Sequence, residues 1–347
     1  MSRVHTASHV SLAAKIEFLR DPGSHLDRPA AVDTIETHFA WLFLSRKFVY
    51  KLKKPIRFRS VDFTHLETRR AICELEVNLN RRLAESTYIG AIPLTYSSGR
   101  LQLKGDGRPV EWLVKMHRLP AEQSLELACQ REQVPTAQLK ELVVKLVRFY
   151  AQAMPAHWDE DAYLRRLREA LDRYGAQLSA PALGLDSTAL KQLAQLQRAF
   201  LADKADLLKA RIAQGRVVDA HGDLRPEHIF LLPDPQIIDC LEFSSELRLL
   251  DAAEEIAFLA LECERLGCKA IGEQIGVLYR EIAADPLPVE VMHFYRSMRA
   301  MIRALLSAWH LEESGQGDTR VWVDRAHWYL EIAQRSLAEP ACATPKS

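Results

Sequence analysis

The chain lacks a long apolar run. Its longest, such as AWLFL at 40–44 and IFLLP at 229–233, fall far short of the roughly 20 residues a membrane helix needs, so no membrane role is expected. It also lacks net charge. Forty-six basic and 46 acidic residues cancel, which leaves no global attraction for nucleic acid or an anionic bilayer and confines any binding to local sites. The opening MSRVHTASHVSLAAKIEFLRD breaks its apolar stretch with charges and does not read as a signal peptide. Cysteine is sparse: six residues, at 73, 129, 240, 263, 268 and 342, with no CxxC pair. Cys263 and Cys268 are the nearest two, but their spacing and the lack of an adjacent histidine argue against zinc. All six read as reduced, mostly buried thiols of a cytoplasmic protein. Internal repeats are absent, and so is the GxxxxGK[ST] phosphate loop.

What is present is a chain of 347 residues, 48% hydrophobic, enough to bury the core of one large domain or two lobes. After a short helix, SLAAKIEFL, stopped by DPGS, residues 37 to 54 alternate apolar and polar side chains about SRKF and predict a hairpin. THLETRRAICELEVNLNRRLA then carries Leu66, Ala71, Leu75 or Glu76, Leu79 and Leu83 at helical spacing, with Thr64 and Glu67 placed as a capping box. Three more strands follow, IGAIPLTYSS, RLQLKGDGRP and VEWLVKMHRL, separated by Ser-Gly and Gly-Asp-Gly turns. Beyond Leu119 helical patterns dominate, interrupted by a strand-rich stretch at 217 to 243. The expectation is an α+β chain: a strand-rich lobe over 1–118, a mainly helical lobe over 119–340, and a loose tail at 341–347.

That strand-rich stretch, VVDAHGDLRPEHIFLLPDPQIIDCLEF, sets carboxylates and a histidine at strand ends. A loop aspartate such as Asp223, reached through the turn that Gly222 permits, can take a proton from a hydroxyl. Asp239 can offer hard oxygen to a divalent cation. One carboxylate for a nucleophile and one for metal-bound phosphates are the minimal parts of phosphoryl transfer. The same residues could merely cap the turns of a hairpin.

HGDLRPEHI followed by IIDCLEF resembles the catalytic loop and metal segment of the aminoglycoside phosphotransferase family, a branch of the protein-kinase-like fold. FVYKLKKP is similar to that family's phosphate-binding lysine strand, and the helix with CELEVNLNRRL stands where the lysine's glutamate partner belongs. YKLKKP, LNRRL and D-x-x-EF together resemble an uncharacterised bacterial branch. The resemblance spans roughly 35 to 310 with its parts in order, and implies a two-lobed, ATP-dependent phosphotransferase using Mg²⁺ or Mn²⁺ on a small-molecule hydroxyl. By it, Asp223 is the catalytic base and Asp239 the main metal ligand. Lys51 holds phosphates, with Lys53 on the same strand face as its competitor. Glu76 pairs with the lysine, Glu74 pointing some 200° away on an ideal helix. Backbone groups around Met116 to Arg118 serve adenine, and Asp251 buttresses the catalytic loop.

The chain departs from the family pattern where His228 replaces an asparagine metal ligand five residues after Asp223. Mg²⁺ prefers oxygen, whereas Mn²⁺ accepts nitrogen more readily. His228 could ligate metal, bond a phosphate, or mark a site without turnover, and Glu242 offers a compensating carboxylate or simply a salt bridge. SRKF, where a phosphate-covering loop would lie, contains no glycine. Arg296, Arg299 and Arg303, at i, i+3 and i+7, form one helical face that could hold a phosphorylated or carboxylate-bearing acceptor or lie solvated. A nucleotide-binding pseudokinase of regulatory or scaffold role is the rival reading. A protein kinase is disfavoured, because 239–251 holds no long activation segment with an APE-like end.

Overall fold

The computed structural model describes residues 10–58, 61–179, 185–313 and 320–338. They form two compact units, Met1–Ala121 with Gln236–Ser244, and Glu122–Pro235 with Ser245–Ser347. The first break falls after Ala121. The return of 236–244 to the first unit was not expected, and its cause is a set of side-chain contacts described below.

The first unit is built on helix α1 (Leu12–Arg20) and strands β1 (Asp33–Glu36), β2 (Ala40–Leu44) and β3 (Phe48–Lys53). Helix α2 (Leu66–Ala84) and strands β4 (Tyr88–Ser97), β5 (Arg100–Leu103) and β6 (Arg108–His117) complete it. The strands make one antiparallel sheet in the order β1-β2-β3-β6-β4-β5. Period-two alternation sorts β3 between two cores. Tyr50 and Leu52 join Leu19, Phe43, Ile92 and Leu113 on the face covered by α1. Val49 joins Cys73, Val77, Val114 and Met116 on the face covered by α2, and the same alternation sends Lys51 and Lys53 to that α2 face.

Two local expectations are corrected. Thr64 does not cap α2: His65 is the N-cap and makes no side-chain bond, because the Thr64 hydroxyl and amide both donate to Asp62 Oδ1, at 2.5 and 3.0 Å. The predicted first strand, 37–44, begins only at Ala40, since the Thr37 amide turns onto the Ala40 carbonyl (2.8 Å) and ends β1, which was not expected, ahead of β2.

The second unit comprises α3 (Thr136–Gln152), α4 (Glu160–Leu178), α5 (Ser187–Asp203) and α6 (Ala205–Ala213), then strand β7 (Val217–Asp219). Strand β8 (Leu249–Asp251), α7 (Ala252–Arg265), α8 (Lys269–Ile282), α9 (Val289–Glu313) and α10 (Arg320–Ala338) follow. β7 pairs antiparallel with β8, Leu249 opposite Asp219, and the catalytic-loop motif leaves the end of β7. Asp251 caps α7 through the Ala253 amide (2.9 Å) and receives both Arg211 and the Tyr295 hydroxyl (2.8 Å), while Arg211 also grips Asp285. A buried guanidinium between two carboxylates, each further bonded, meets the conditions under which buried charge is tolerated. No helix of the described residues is long and apolar enough to cross a membrane.

Candidate active site

In the first unit, Lys51 Nζ lies 2.9 Å from Glu76 Oε1 and 2.5 Å from Asp239 Oδ1. Lys53 is ion-paired to the other Glu76 oxygen and to Glu242. The result is a line of alternating charge, Asp239–Lys51–Glu76–Lys53–Glu242. Burial opposes the charge on Lys51, but Asp239 and then Glu76 outweigh it and hold the ammonium well above its ordinary value. On Glu76 burial pushes the other way, and the two lysines overcome it to keep the carboxyl below the usual range. The two lysines differ in position: Lys53 is sealed at 1% exposure, whereas Lys51 bonds an Asp239 side chain that is 42% exposed. Lys51 therefore neighbours the accessible carboxylate, and Lys53 is an internal clamp. Glu74 pairs with Arg70 on the surface of α2 (3.0 Å).

Residues not singled out in the sequence fix the Asp239 segment. The Asp239 amide donates to the Tyr88 hydroxyl (3.2 Å), and the Cys240 amide donates to Asn80 Oδ1 (2.8 Å). Asn80 in turn donates to the Glu76 carbonyl one turn earlier (2.8 Å), so one face of α2 carries both the lysine's partner and the segment's anchor. Ser86 and Thr87 each donate to Gln236 Oε1 at 3.0 Å. Asp239 adopts φ +62°, a left-handed conformation uncommon outside glycine and tolerated best by Asn and Asp. These bonds are what return 236–244 to the first unit. The i, i+4 spacing of Glu76 and Asn80 was readable, but the Asn80 target 160 residues on was not.

Two expectations about nucleotide contacts fare differently. The β2–β3 turn, which lacks glycine, is held by a residue ahead of the sheet: Asp27 Oδ2 accepts the Lys47 amide (2.8 Å) and the Ser45 hydroxyl (2.9 Å). At the end of β6 the amides expected to serve adenine are already engaged. His117 donates to the Thr87 carbonyl and Arg118 to that of Lys47, at 2.8 and 2.9 Å, and Met116 is buried between Val49 and Tyr88. The Arg118 side chain bonds Ser45 O (3.0 Å) and Asp33 (2.9 Å). The β6 strand keeps partners on both sides to its last residue, so its donors are used in the sheet.

In the second unit, Gly222 (φ +90°) makes the turn that sets up Asp223. The brace of this loop is Glu255 on α7, not Asp251. Its carboxylate accepts the amides of His221 (3.1 Å) and Gly222 and the Tyr150 hydroxyl (3.0 Å). Asp251 instead serves Arg211 and Tyr295. Burial pushes the Glu255 carboxyl up, opposed by the two amides. Asp223 Oδ2 lies 3.0 Å from Arg225, which also meets Glu227 at 2.5 Å. His228 directs Nδ1 to the Asp223 carbonyl (2.9 Å) and Nε2 to the Arg225 guanidinium (3.2 Å). A guanidinium only donates, so Nε2 is the acceptor and Nδ1 carries the proton toward the carbonyl. Both ring nitrogens have protein partners, so His228 braces the loop in this structure.

The three arginines of α9 are neither a solvated face nor uncommitted. Arg296 pairs with Glu264, Arg299 with Glu254 (2.7 Å) and Arg303 with Glu262 (3.2 Å), because α7 opposes them with carboxylates. Among the described residues no group of three or more His, Cys, Asp and Glu side chains is arranged to hold a metal ion. Glu242 is buried on Lys53, so the exposed Asp239 carboxylate is the oxygen donor that fits a divalent cation.

The phosphotransferase enzyme family matches residues 63–281. Uncharacterised proteins of Mycobacterium bovis and Mycobacterium tuberculosis are 31% identical over 279 residues, 79% of this chain and 54% of theirs, so the chain spans about half the length of the curated relatives it matches. A choline/ethanolamine kinase family protein from Mesorhizobium loti superposes with TM-score 0.54 at 10% identity, covering 93% of this chain and 98% of that one. A Plasmodium vivax ethanolamine kinase does so with TM-score 0.51 at 14% identity, covering 88% and 83%. A mutant aminoglycoside 2'-phosphotransferase-IIIa in a GDP complex gives 0.50 at 14%, covering 88% and 92%. These likenesses establish a kinase-like fold. The match over most of the chain, HGDLRPEHI and IIDCLEF included, shows that this protein belongs to the phosphotransferase enzyme family.

Proposed function

We propose that the protein transfers the γ-phosphoryl group of ATP to a hydroxyl of a small molecule. The observation that carries this is Lys51, bonded at once to Glu76 and to the exposed Asp239. A buried ammonium braced by one carboxylate and set beside an accessible one is suited to hold phosphate oxygens next to a metal. The acceptor oxygen forms the new bond to phosphorus while the bond to the bridging oxygen breaks, ADP leaves, and the hydroxyl proton passes to the Asp223 carboxylate. Mg²⁺ or Mn²⁺ bound through Asp239 would neutralise charge on the phosphates. Lys53 and Glu242 hold Glu76 in line for Lys51, and Glu255 holds the loop that presents Asp223.

One observation favours a second reading. The Asp223 carboxylate is ion-paired to Arg225, and His228 is a strut where the family has a ligand, as in a nucleotide-binding protein without turnover. Thermal-shift titration with ATP and Mg²⁺ or Mn²⁺, followed by ADP release with a panel of hydroxyl acceptors, separates the two. The kinase reading expects a shift lost in Lys51→Ala and acceptor-dependent ADP release. A shift without ADP release from any acceptor would favour the pseudokinase, and no shift would refute both.

A further inference from the structure

Within the second unit, α9 and α10 meet along a seam whose rungs are aromatic. His310 stacks on Trp322 with ring centroids 4.2 Å apart, and Arg303 Nε lies 3.4 Å from the Tyr329 hydroxyl. Arg303 and His310 are seven residues apart, and Trp322, Arg325 and Tyr329 stand at i, i+3 and i+7, so each set shares one helical face. Arg325 sits between the rungs with its guanidinium 4.7 Å from the Trp322 ring centre. Behind the seam, Glu262 accepts Arg265 (2.7 Å) and Tyr329 (2.6 Å) and faces Arg303 (3.2 Å).

The charges do not balance. Arg265, Arg303 and Arg325 gather about Glu262, and among the described residues no carboxylate stands within ion-pair distance of Arg325. Its guanidinium is held below its ordinary value by partial burial and by repulsion from Arg265 and Arg303. Burial also opposes the charge on Arg303, but Glu262 and Tyr329 outweigh it, and Glu262 lies two turns along α7, on the same face, from Glu255, whose carboxylate holds the loop that carries Asp223. An arginine stacked on indole, lacking a carboxylate and pressed by like charges, is a site that an anion would complete.

We propose that the phosphoryl acceptor bears a carboxylate or phosphate group and that Arg325 binds it, with Trp322 supporting the Arg325 plane and Arg303, itself held by Glu262, adding positive charge beside it. This rests on the phosphotransferase reading and gives it a substrate class. The same positive seam disfavours cationic acceptors such as aminoglycosides and choline.

The test uses the full chain at constant ionic strength, with binding followed by calorimetry and tryptophan fluorescence. Glycerol 3-phosphate and gluconate serve as anionic hydroxyl probes, kanamycin and choline as cationic ones. Saturable binding of an anionic probe is expected, weakened about tenfold in Arg325→Gln and largely kept in Arg325→Lys. Arg325 is partly exposed and outside any ion pair here, so Arg325→Gln should keep the wild-type melting temperature. Binding of cationic probes alone, binding of no probe, or equal binding of an anionic probe by wild type and Arg325→Gln would each overturn the proposal. The ATP-induced thermal shift is recorded in parallel. Its absence beside Arg325-dependent anion binding would refute the phosphotransferase reading while the anion site stood.

Discussion

Lys53 offers the sharpest test of the charge line in the first unit. Replacing it with Met removes the one cation between Glu76 and Glu242 and keeps most of the side-chain volume. Both carboxylates are buried, at 0% and 8% exposure, so neither can turn to water in place of the lysine. Removing one partner of a buried ion pair costs about 3–5 kcal/mol, because the other charge is left without compensation. With an unfolding entropy of about 2.1 cal/mol/K per residue over 347 residues, each kcal/mol lowers the melting temperature by about 1.4 °C, so Lys53→Met should melt about 4–7 °C lower. Glu242→Met should cost less, since Lys53 keeps Glu76. The double variant Lys53→Met/Glu242→Met leaves an apolar pair and should regain part of the loss, with a coupling energy above about 1.5 kcal/mol in a denaturant cycle. Effects of the two substitutions that add within about 0.5 kcal/mol would mean the pair is not a functional unit of the core, and the clamp argument would fail.

Further outcomes follow from the same geometry. Asp223→Asn should keep the ATP-induced thermal shift and lower turnover about 10²- to 10⁴-fold, measured as ADP release. Tyr88→Phe removes the acceptor for the Asp239 amide, at a cost of about 1 kcal/mol, and should weaken ATP binding about fivefold by calorimetry. Asp285→Asn should destabilise by about 2–4 kcal/mol at neutral pH, because Arg211 keeps only Asp251. Burial raises the Asp285 carboxyl, but Arg211 outweighs it and holds the group below its ordinary value of 3.8. Its stabilising effect is therefore complete above pH 3.8 and lost as pH falls through the depressed value. Urea melts should show the gap between wild type and Asp285→Asn closing only below about pH 4.

The parts of this protein that were legible in its sequence are those governed by short periods. Helical spacing marked α2, and alternation marked β2, β3, β4 and β6, because one apolar face per element is what burial selects. β1 was missed because its DTIE is almost wholly exposed, at the sheet edge, and carries no apolar alternation. The capping box failed because Asp62, two residues ahead, competes for the Thr64 hydroxyl, and such short-range competition is invisible to a four-residue pattern. Local spacing also put Asp251 and Glu255 on one turn of α7 without saying which faces the catalytic loop. That choice depends on Arg211 and Tyr295, which occupy Asp251 and leave Glu255 to the loop amides.

The two lysines show the limit of such reading. A period of two places Lys51 and Lys53 on one strand face and cannot rank them. Glu76 cannot rank them either, since it gives one oxygen to each. What separates them lies 188 and 189 residues further on, where Asp239 meets Lys51 and Glu242 meets Lys53. The three-residue step in D-x-x-E thus matches the two-residue step in K-x-K across the ion-pair line. The second lysine and the second acid are one device, and the step in one motif has meaning only against the step in the other. A chain with Lys51, Glu76 and Asp239 but with apolar residues at 53 and 242 would keep the Asp239–Lys51–Glu76 line. A chain with only one of Lys53 and Glu242 would bury an unpaired charge.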